Sequence, residues 1–244
     1  QLPKGSFALV NIDDKNGKVM LQNTSADKHT YSLRDAADFK VKIMEKSIEG
    51  SLLNLQGKEV WTRFIGTHNA SNMVAVYGTA LLLGSKSDEV LTAISSLEAV
   101  SGRLEYIKGG RDITAVVDYA HTPDALENVL VTLKDIAAGN NLVCVFGCGG
   151  DRDRSKRGEM AEIAQKYADR IVVTSDNPRS ENPDDIIQDI KKGLSTAGKA
   201  KSLFITDRRE GIRTALMTAN EGSIVLVAGK GHENYQEING VKHH

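Results

Sequence analysis

The chain has 244 residues, of which 40% are hydrophobic and 26% charged, and its formal net charge is −1. That length suits two modest domains or one large one, and the near-neutral balance excludes recruitment to nucleic acid or membrane by a global field. No apolar run reaches the roughly 18–20 residues that a membrane-spanning helix needs.

Gln1-Leu2-Pro3-Lys4-Gly5 has neither a leading Met nor a signal-peptide h-region, so a fragment is expected. Phe7–Ile12, Phe39–Met44, Ser47–Leu55 and Glu59–Ile65 alternate or cluster apolar residues as strands do. Asp13–Gly17 and Gln56-Gly57 supply turns between them. An apolar helix over Asn69–Leu83 and a second over Asp88–Leu97 follow. From about Asp112 the rhythm changes. Short β-rich runs at Ile113–Val117, Leu142–Phe146, Ile171–Val173, Leu203–Ile205 and Ile224–Val227 are separated by helical patterns, each unit the size of a βαβ crossover. Thr122-Pro123 and Asn182-Pro183 place a cap before a proline at the first helical position, and Asp207 to Glu210 has capping-box spacing. Strands without alternation, each followed by an amphipathic helix, predict an α/β fold with a mostly parallel sheet covered on both faces. The boundary between the two halves is expected near Ser101-Gly102-Arg103.

Ligands of open parallel sheets bind beyond the carboxyl ends of the strands. Four loops follow strands there: Asp118–Pro123, Gly147–Arg157, Ser175–Arg179 and Gly229–Glu233. The second, GCGGDRDRSKR, combines glycines that let backbone N–H groups approach an anion with Arg152, Arg154, Lys156 and Arg157. It reads either as a solvated charged loop or as a phosphate cradle. It has no P-loop or dinucleotide fingerprint, and Gly229-Lys230 lacks the first glycine of a P-loop because Ile224 stands there. In SDNPR, Pro178 stiffens the backbone that carries Arg179, whose planar fork matches a carboxylate. In GKGHE, Glu233 is an acceptor for an ammonium group. Cations on two loops and a carboxylate on a third suit a zwitterion such as an amino acid. Asp118 at a strand end is placed to accept from ribose hydroxyls, and His121 to stack or hydrogen-bond. Cys144 and Cys148 read as free thiols of a reducing cytoplasm. His29 and His68 have no metal spacing, and His243-His244 is either native or the start of a purification tag.

Together the stretches GTHNASN, SGRLEYI, VVDYAHTPDALENVL, FGCGGDRDRSKRGEMA, VTSDNPRSENP and VLVAGKGHENYQ resemble the Mur ligase family over about residues 66–240. The resemblance implies residues 1–102 as the C-terminal part of a central ATP-binding domain and 103–244 as a Rossmann-like amino-acid-binding domain. The family's UDP-binding domain, P-loop lysine, magnesium ligands, carbamylated lysine and last helix are expected to lie outside these 244 residues, so the chain alone is expected to be inactive. The implied reaction is ATP- and magnesium-dependent ligation in the cytoplasm by a monomer, without nucleic-acid or membrane partners. It adds an amino acid to UDP-MurNAc-L-Ala-D-Glu through an acyl phosphate. The SDNPR stretch is similar to that of members that add meso-diaminopimelate. By that resemblance Arg152 and Arg179 bind its carboxylates, Asp176 and Asn177 line the pocket, Gly229 contributes backbone and Glu233 takes the far amino group. Asn69 and Asn72 match adenine-side asparagines, Arg103 an interdomain arginine, Asp118 a ribose-binding aspartate and His121 a nucleotide contact. His68 stands where the family carries an aromatic residue. The alternatives are a non-catalytic amino-acid- or nucleotide-binding module, a Mur-type ligase for L-lysine, and a folylpolyglutamate synthetase. The DNPR and GKGHE pair argues against the last.

Overall fold

The computed structural model describes Leu2, Pro3 and residues 5–244; Gln1 and Lys4, part of the N-terminal pentapeptide read above, lie outside the described residues. The chain divides into two compact units, Gln1–Glu98 and Ala99–His244.

In the first unit, β1 (Phe7–Asn11), the single-turn α1 (Gly17–Met20), β2 (Asp27–Ser32), β3 (Phe39–Ser47), β4 (Gly50–Leu55) and β5 (Lys58–Thr62) precede α2 (Thr67–Leu82) and α3 (Ser87–Ser96). The strands form one sheet in chain order, parallel from β1 to β3 and antiparallel from β3 to β5. Along β3, Phe39 and Val41 point inward while Lys40 and Lys42 point out, the period-2 pattern of a half-buried strand. Val41, Leu53, Leu55 and Val60 meet Val74 and Tyr77 of α2 and Ile94 of α3 in one core. Gly78 lets α2 approach the sheet, because a Cβ there would come 2.8 Å from the Phe39 ring. The expected strand Ser47–Leu55 is in fact the end of β3, a turn at Ile48-Glu49, and β4. The expected strand Glu59–Ile65 stops at Thr62, whose Oγ1 accepts from the Phe64 N–H and bends the chain.

The second unit begins with β6 (Glu105–Lys108), β7 (Thr114–Asp118), α4 (Pro123–Ala137), β8 (Leu142–Phe146), α5 (Ser155–Tyr167) and β9 (Arg170–Val173). It continues with α6 (Pro183–Lys192), α7 (Thr196–Ala200), β10 (Ser202–Phe204), α8 (Arg208–Thr218), β11 (Ile224–Ala228), and the hairpin β12 (Gln236–Ile238) and β13 (Val241–His243). The main sheet has the order β10-β9-β8-β11-β7-β6 and is parallel except for the edge strand β6. β8 is buried along its whole length. Val143 and Val145 of β8 share a core with Val172, Val225 and Ala215 of α8, and α4 and α5 pack on the sheet as well. All three expected caps form: Thr122, Asn182 and Asp207 each accept from a backbone N–H in the first turn of their helix. The last parallel strand, β11, inserts between β7 and β8. That placement brings the loop after β11 between the loops that follow its two neighbours.

Candidate functional site

The loops after β7, β8, β9 and β11 enclose a cavity of about 560 Å³, and Arg152, Asp176, Asn177, Arg179, Gly229, Glu233 and His121 all line it. The two arginine-bearing loops are zipped together. Gly150 N–H donates to Asn177 O at 2.9 Å. Asp151 accepts from Ser180 Oγ at 2.7 Å and Ser180 N at 3.1 Å, while Glu181 Oε1 accepts from Asp151 N at 2.6 Å. Gly150 has no room for a side chain, since a Cβ would lie 1.9 Å from Pro178 O.

Arg179 sits at φ 51, in the left-handed region. A non-glycine residue stays there only when its surroundings over-determine it. The C-terminal hairpin does so: Arg179 N–H donates to Glu237 O at 3.0 Å, and Asn239 N–H donates to Arg179 O at 2.8 Å. The half-buried guanidinium is tethered as well, with Nη1 donating to Gly150 O at 2.8 Å and Nε 3.4 Å from Glu237 Oε2. Arg152 is exposed on the facing loop, where Nη1 donates to Asp151 O at 3.3 Å.

Opposite them, Glu233 Oε2 accepts from Asn177 Nδ2 and Lys230 Nζ, each at 3.1 Å, and Oε1 accepts from Tyr119 Oη at 3.3 Å. Burial of this carboxylate favours its neutral form, but Lys230 and Asn177 outweigh that and hold its pKa below the usual glutamate range. Tyr119 is pushed the other way, by burial and by the neighbouring Glu233. Its ring stacks on His232 at 5.6 Å, meets His121 edge-on at 4.8 Å and lies 4.9 Å from the Arg103 guanidinium. Beneath the cavity the buried Arg208 donates to Ser175 O and Ala228 O, fastening the loop after β9 to the end of β11. Asp176 Oδ2 is buried without a hydrogen bond, 3.9 Å from Arg208 Nη1. A Cβ on Gly229 would come 2.7 Å from that same oxygen.

Other expected residues stand elsewhere. Asp118 is 5% exposed and does not line the cavity; its two oxygens accept from Leu104 N at 2.8 Å and Ala120 N at 2.7 Å. These bonds hold the Leu104 turn, and each oxygen serves one donor and keeps a second lone pair. Arg157, read as part of a positive loop, is buried. It pairs with Glu181 at 2.8 Å and Asp189 at 3.0 Å. Asn69 and Asn72 belong to the first unit, three residues apart on α2, and Asn69 Nδ2 donates to Ile65 O at 2.8 Å. Sequence reasoning missed Lys230, Tyr119 and Arg208. The i, i+3 spacing of Lys230 and Glu233 was the available signal for the first. Cys144 and Cys148 are free, and burial pushes both thiols up to about 12, which disfavours the thiolate. Among the described residues no group of three acidic, His or Cys side chains suits a metal, and no helix is long and apolar enough to cross a membrane.

The family model described as "Mur ligase, glutamate ligase domain" matches residues 102–231, and that of the Mur ligase middle domain matches residues 1–80. The chain belongs to the Mur ligase family. Among Mur ligases, the UDP-N-acetylmuramoyl-L-alanyl-D-glutamate--2,6-diaminopimelate ligase of Phocaeicola vulgatus is 54% identical over all of this chain and 50% of its own length. The same-named protein of Bacillus cereus is 40% identical over 98% of this chain and 48% of its own. A solved structure of a ligase with that name superposes with a TM-score of 0.66 at 40% identity, covering 98% of this chain and 50% of the other. This chain thus spans about half the length of the curated Mur ligases it matches.

Proposed function

We propose that this chain is the amino-acid-receiving half of an ATP-dependent ligase. The whole enzyme joins meso-2,6-diaminopimelate to UDP-MurNAc-L-Ala-D-Glu in the cytoplasm and releases UDP-MurNAc-tripeptide, ADP and phosphate. Residues 1–102 then end the ATP-binding domain and 103–244 form the amino-acid domain. One observation carries the reading: two guanidiniums from adjacent zipped loops, Arg152 and Arg179, and the carboxylate of Glu233 line one cavity at the carboxyl edge of a parallel sheet. Diaminopimelate carries an ammonium and a carboxylate at each end. Arg179 and Arg152 take carboxylates, Glu233 takes the far ammonium, and Asp176, Asn177 and Gly229 shape the wall. L-lysine lacks the far carboxylate and would leave the half-buried Arg179 guanidinium without the bidentate partner the cavity offers it, with only Gly150 O and Glu237 beside it.

In this reading ATP converts the acceptor carboxylate to an acyl phosphate, which the bound amine then displaces. The cavity holds that amine in place, so that much of the rate comes from orientation. In this reading Asn69, Asn72, Arg103, Asp118 and His121 contact the nucleotide; Asn72, Arg103 and His121 are exposed. The test is phosphate release by the full-length enzyme with a panel of amino acids. Meso-diaminopimelate is expected to exceed L-lysine by about 10²-fold or more in kcat/KM. Equal rates would remove the assignment of Arg179 and Arg152.

A further inference from the structure

Lys230 is 7% exposed and unused by the reading above. Its Nζ donates to Asn177 Oδ1 at 2.8 Å and to Glu233 Oε2 at 3.1 Å. Asn177 Oδ1 also accepts from Glu237 N–H at 2.9 Å, so both its lone pairs are used. The amide is thereby locked with Nδ2 toward Glu233. Oε2 of Glu233 already serves two donors, and only Oε1, with the long Tyr119 contact, has capacity left.

We propose that Lys230 is a specificity-determining positioning residue that neutralises Glu233 and penalises any ligand end bearing an ammonium without a carboxylate. The inference rests on the cavity being an amino-acid site. A bare buried glutamate would welcome the terminal ammonium of lysine. With Lys230 in place, an ammonium reaching Oε1 stands within about 6 Å of a second, desolvated ammonium, where like charges repel strongly. An α-amino-acid end brings its own carboxylate, held by Arg179 beside that ammonium, and its charge offsets the repulsion from Lys230, which lies behind Asn177 and Glu233 rather than in the cavity wall. Selection against lysine therefore has two parts: an attraction it cannot satisfy at Arg179, and a repulsion it cannot screen at Lys230.

The experiment compares the full-length enzyme with its Lys230→Met and Lys230→Gln variants, measuring KM and kcat for meso-diaminopimelate, L-lysine and ATP. Both variants are expected to lose about tenfold or more of the preference for diaminopimelate. The change should come chiefly from a lower KM for L-lysine, with the KM for ATP unchanged. The glutamine variant keeps a donor for Asn177 and decides the matter should the methionine variant fail to fold. If the wild type prefers diaminopimelate and the variants keep its ratio, even at reduced rates, Lys230 only supports the fold and the inference is overturned while the cavity reading stands. A wild type without preference overturns the cavity reading itself and this inference with it.

Discussion

Arg179 combines an uncommon backbone conformation with a tethered side chain, and both depend on neighbours far away in sequence. Its φ of 51 is maintained by Glu237 and Asn239 of the hairpin. Arg179→Ala removes the guanidinium but not those backbone bonds. It is expected to raise the KM for diaminopimelate by about 10–100-fold, the worth of a charge-assisted pair, and to leave the KM for ATP unchanged. Arg179→Lys keeps the charge without the fork and should fall nearer to alanine than to wild type in the same assay. Gly229 is constrained differently: φ is +113 and a Cβ would press on Asp176 Oδ2. Gly229→Ala is expected to cost about 1–3 kcal/mol of stability in denaturant unfolding, since strain and a displaced Asp176 act together. At this scale the sequence was legible where topology alone assigns a place. Arg152, Asn177, Arg179 and Glu233 follow strands and so had to reach one edge. It was not legible where a charge finds its partner within the chain. Nothing local distinguishes Arg157 from Arg154, yet one is buried between Glu181 and Asp189 while the other is largely exposed. The same holds for Lys230, whose resemblance to a P-loop ending concealed its pairing with Glu233.

The clasp between the loops after β8 and β9 is the element on which the spacing of Arg152 and Arg179 depends. Glu181 joins them, receiving Asp151 N–H, Arg154 and Arg157 together. Its carboxyl is held below the usual 4.5 first by the hydrogen bond from Arg157; that of Asp189 is held below 3.8 by Lys192 and then by Arg157. Both titrate lower in the folded chain than when unfolded, so their stabilisation is complete above those ordinary values and is lost as the pH falls through the depressed folded ones. Urea midpoints measured from pH 7 down to pH 3 should therefore fall toward acid in the wild type. They should fall less steeply in Glu181→Gln, and identical slopes would remove the clasp from the acid response. Among elements, helix starts were the most legible, because Thr122-Pro123, Asn182-Pro183 and Asp207 act within one turn. β2 was missed because DKHTYS is polar and gains its place only by pairing with β1 and β3. The β12–β13 hairpin carried a readable signal, Asn239-Gly240 between short alternating runs. Its three-residue strands were too brief to stand out, and they matter because Arg179 bridges to Ile238.

Among the described residues, Val41, Leu55, Val74 and Ile94 share one core in the first unit, and Val145, Val172 and Val225 share another in the second. The second unit thus has a core of its own, as an independently folding domain requires. Every residue lining the cavity lies in Ala99–His244. If recognition of the amino acid is built into that unit, it should survive separation. Residues 99–244 expressed alone are expected to bind meso-diaminopimelate in calorimetric titration within about threefold of the affinity of the 244-residue chain. Residues 1–98 should give no heat of binding. At about a hundred times the dissociation constant, the ligand should stabilise the isolated second unit by about 2.7 kcal/mol. For a domain near this size that corresponds to a rise in Tm of roughly 5–10 °C. L-lysine at the same concentration should leave Tm unchanged, because it cannot pair with Arg179 and meets Lys230 at its far end. A shift seen only when residues 1–98 are attached would mean that the cavity is incomplete in the second unit. The charge arrangement of Arg152, Arg179 and Glu233 would then be necessary for recognition but not sufficient.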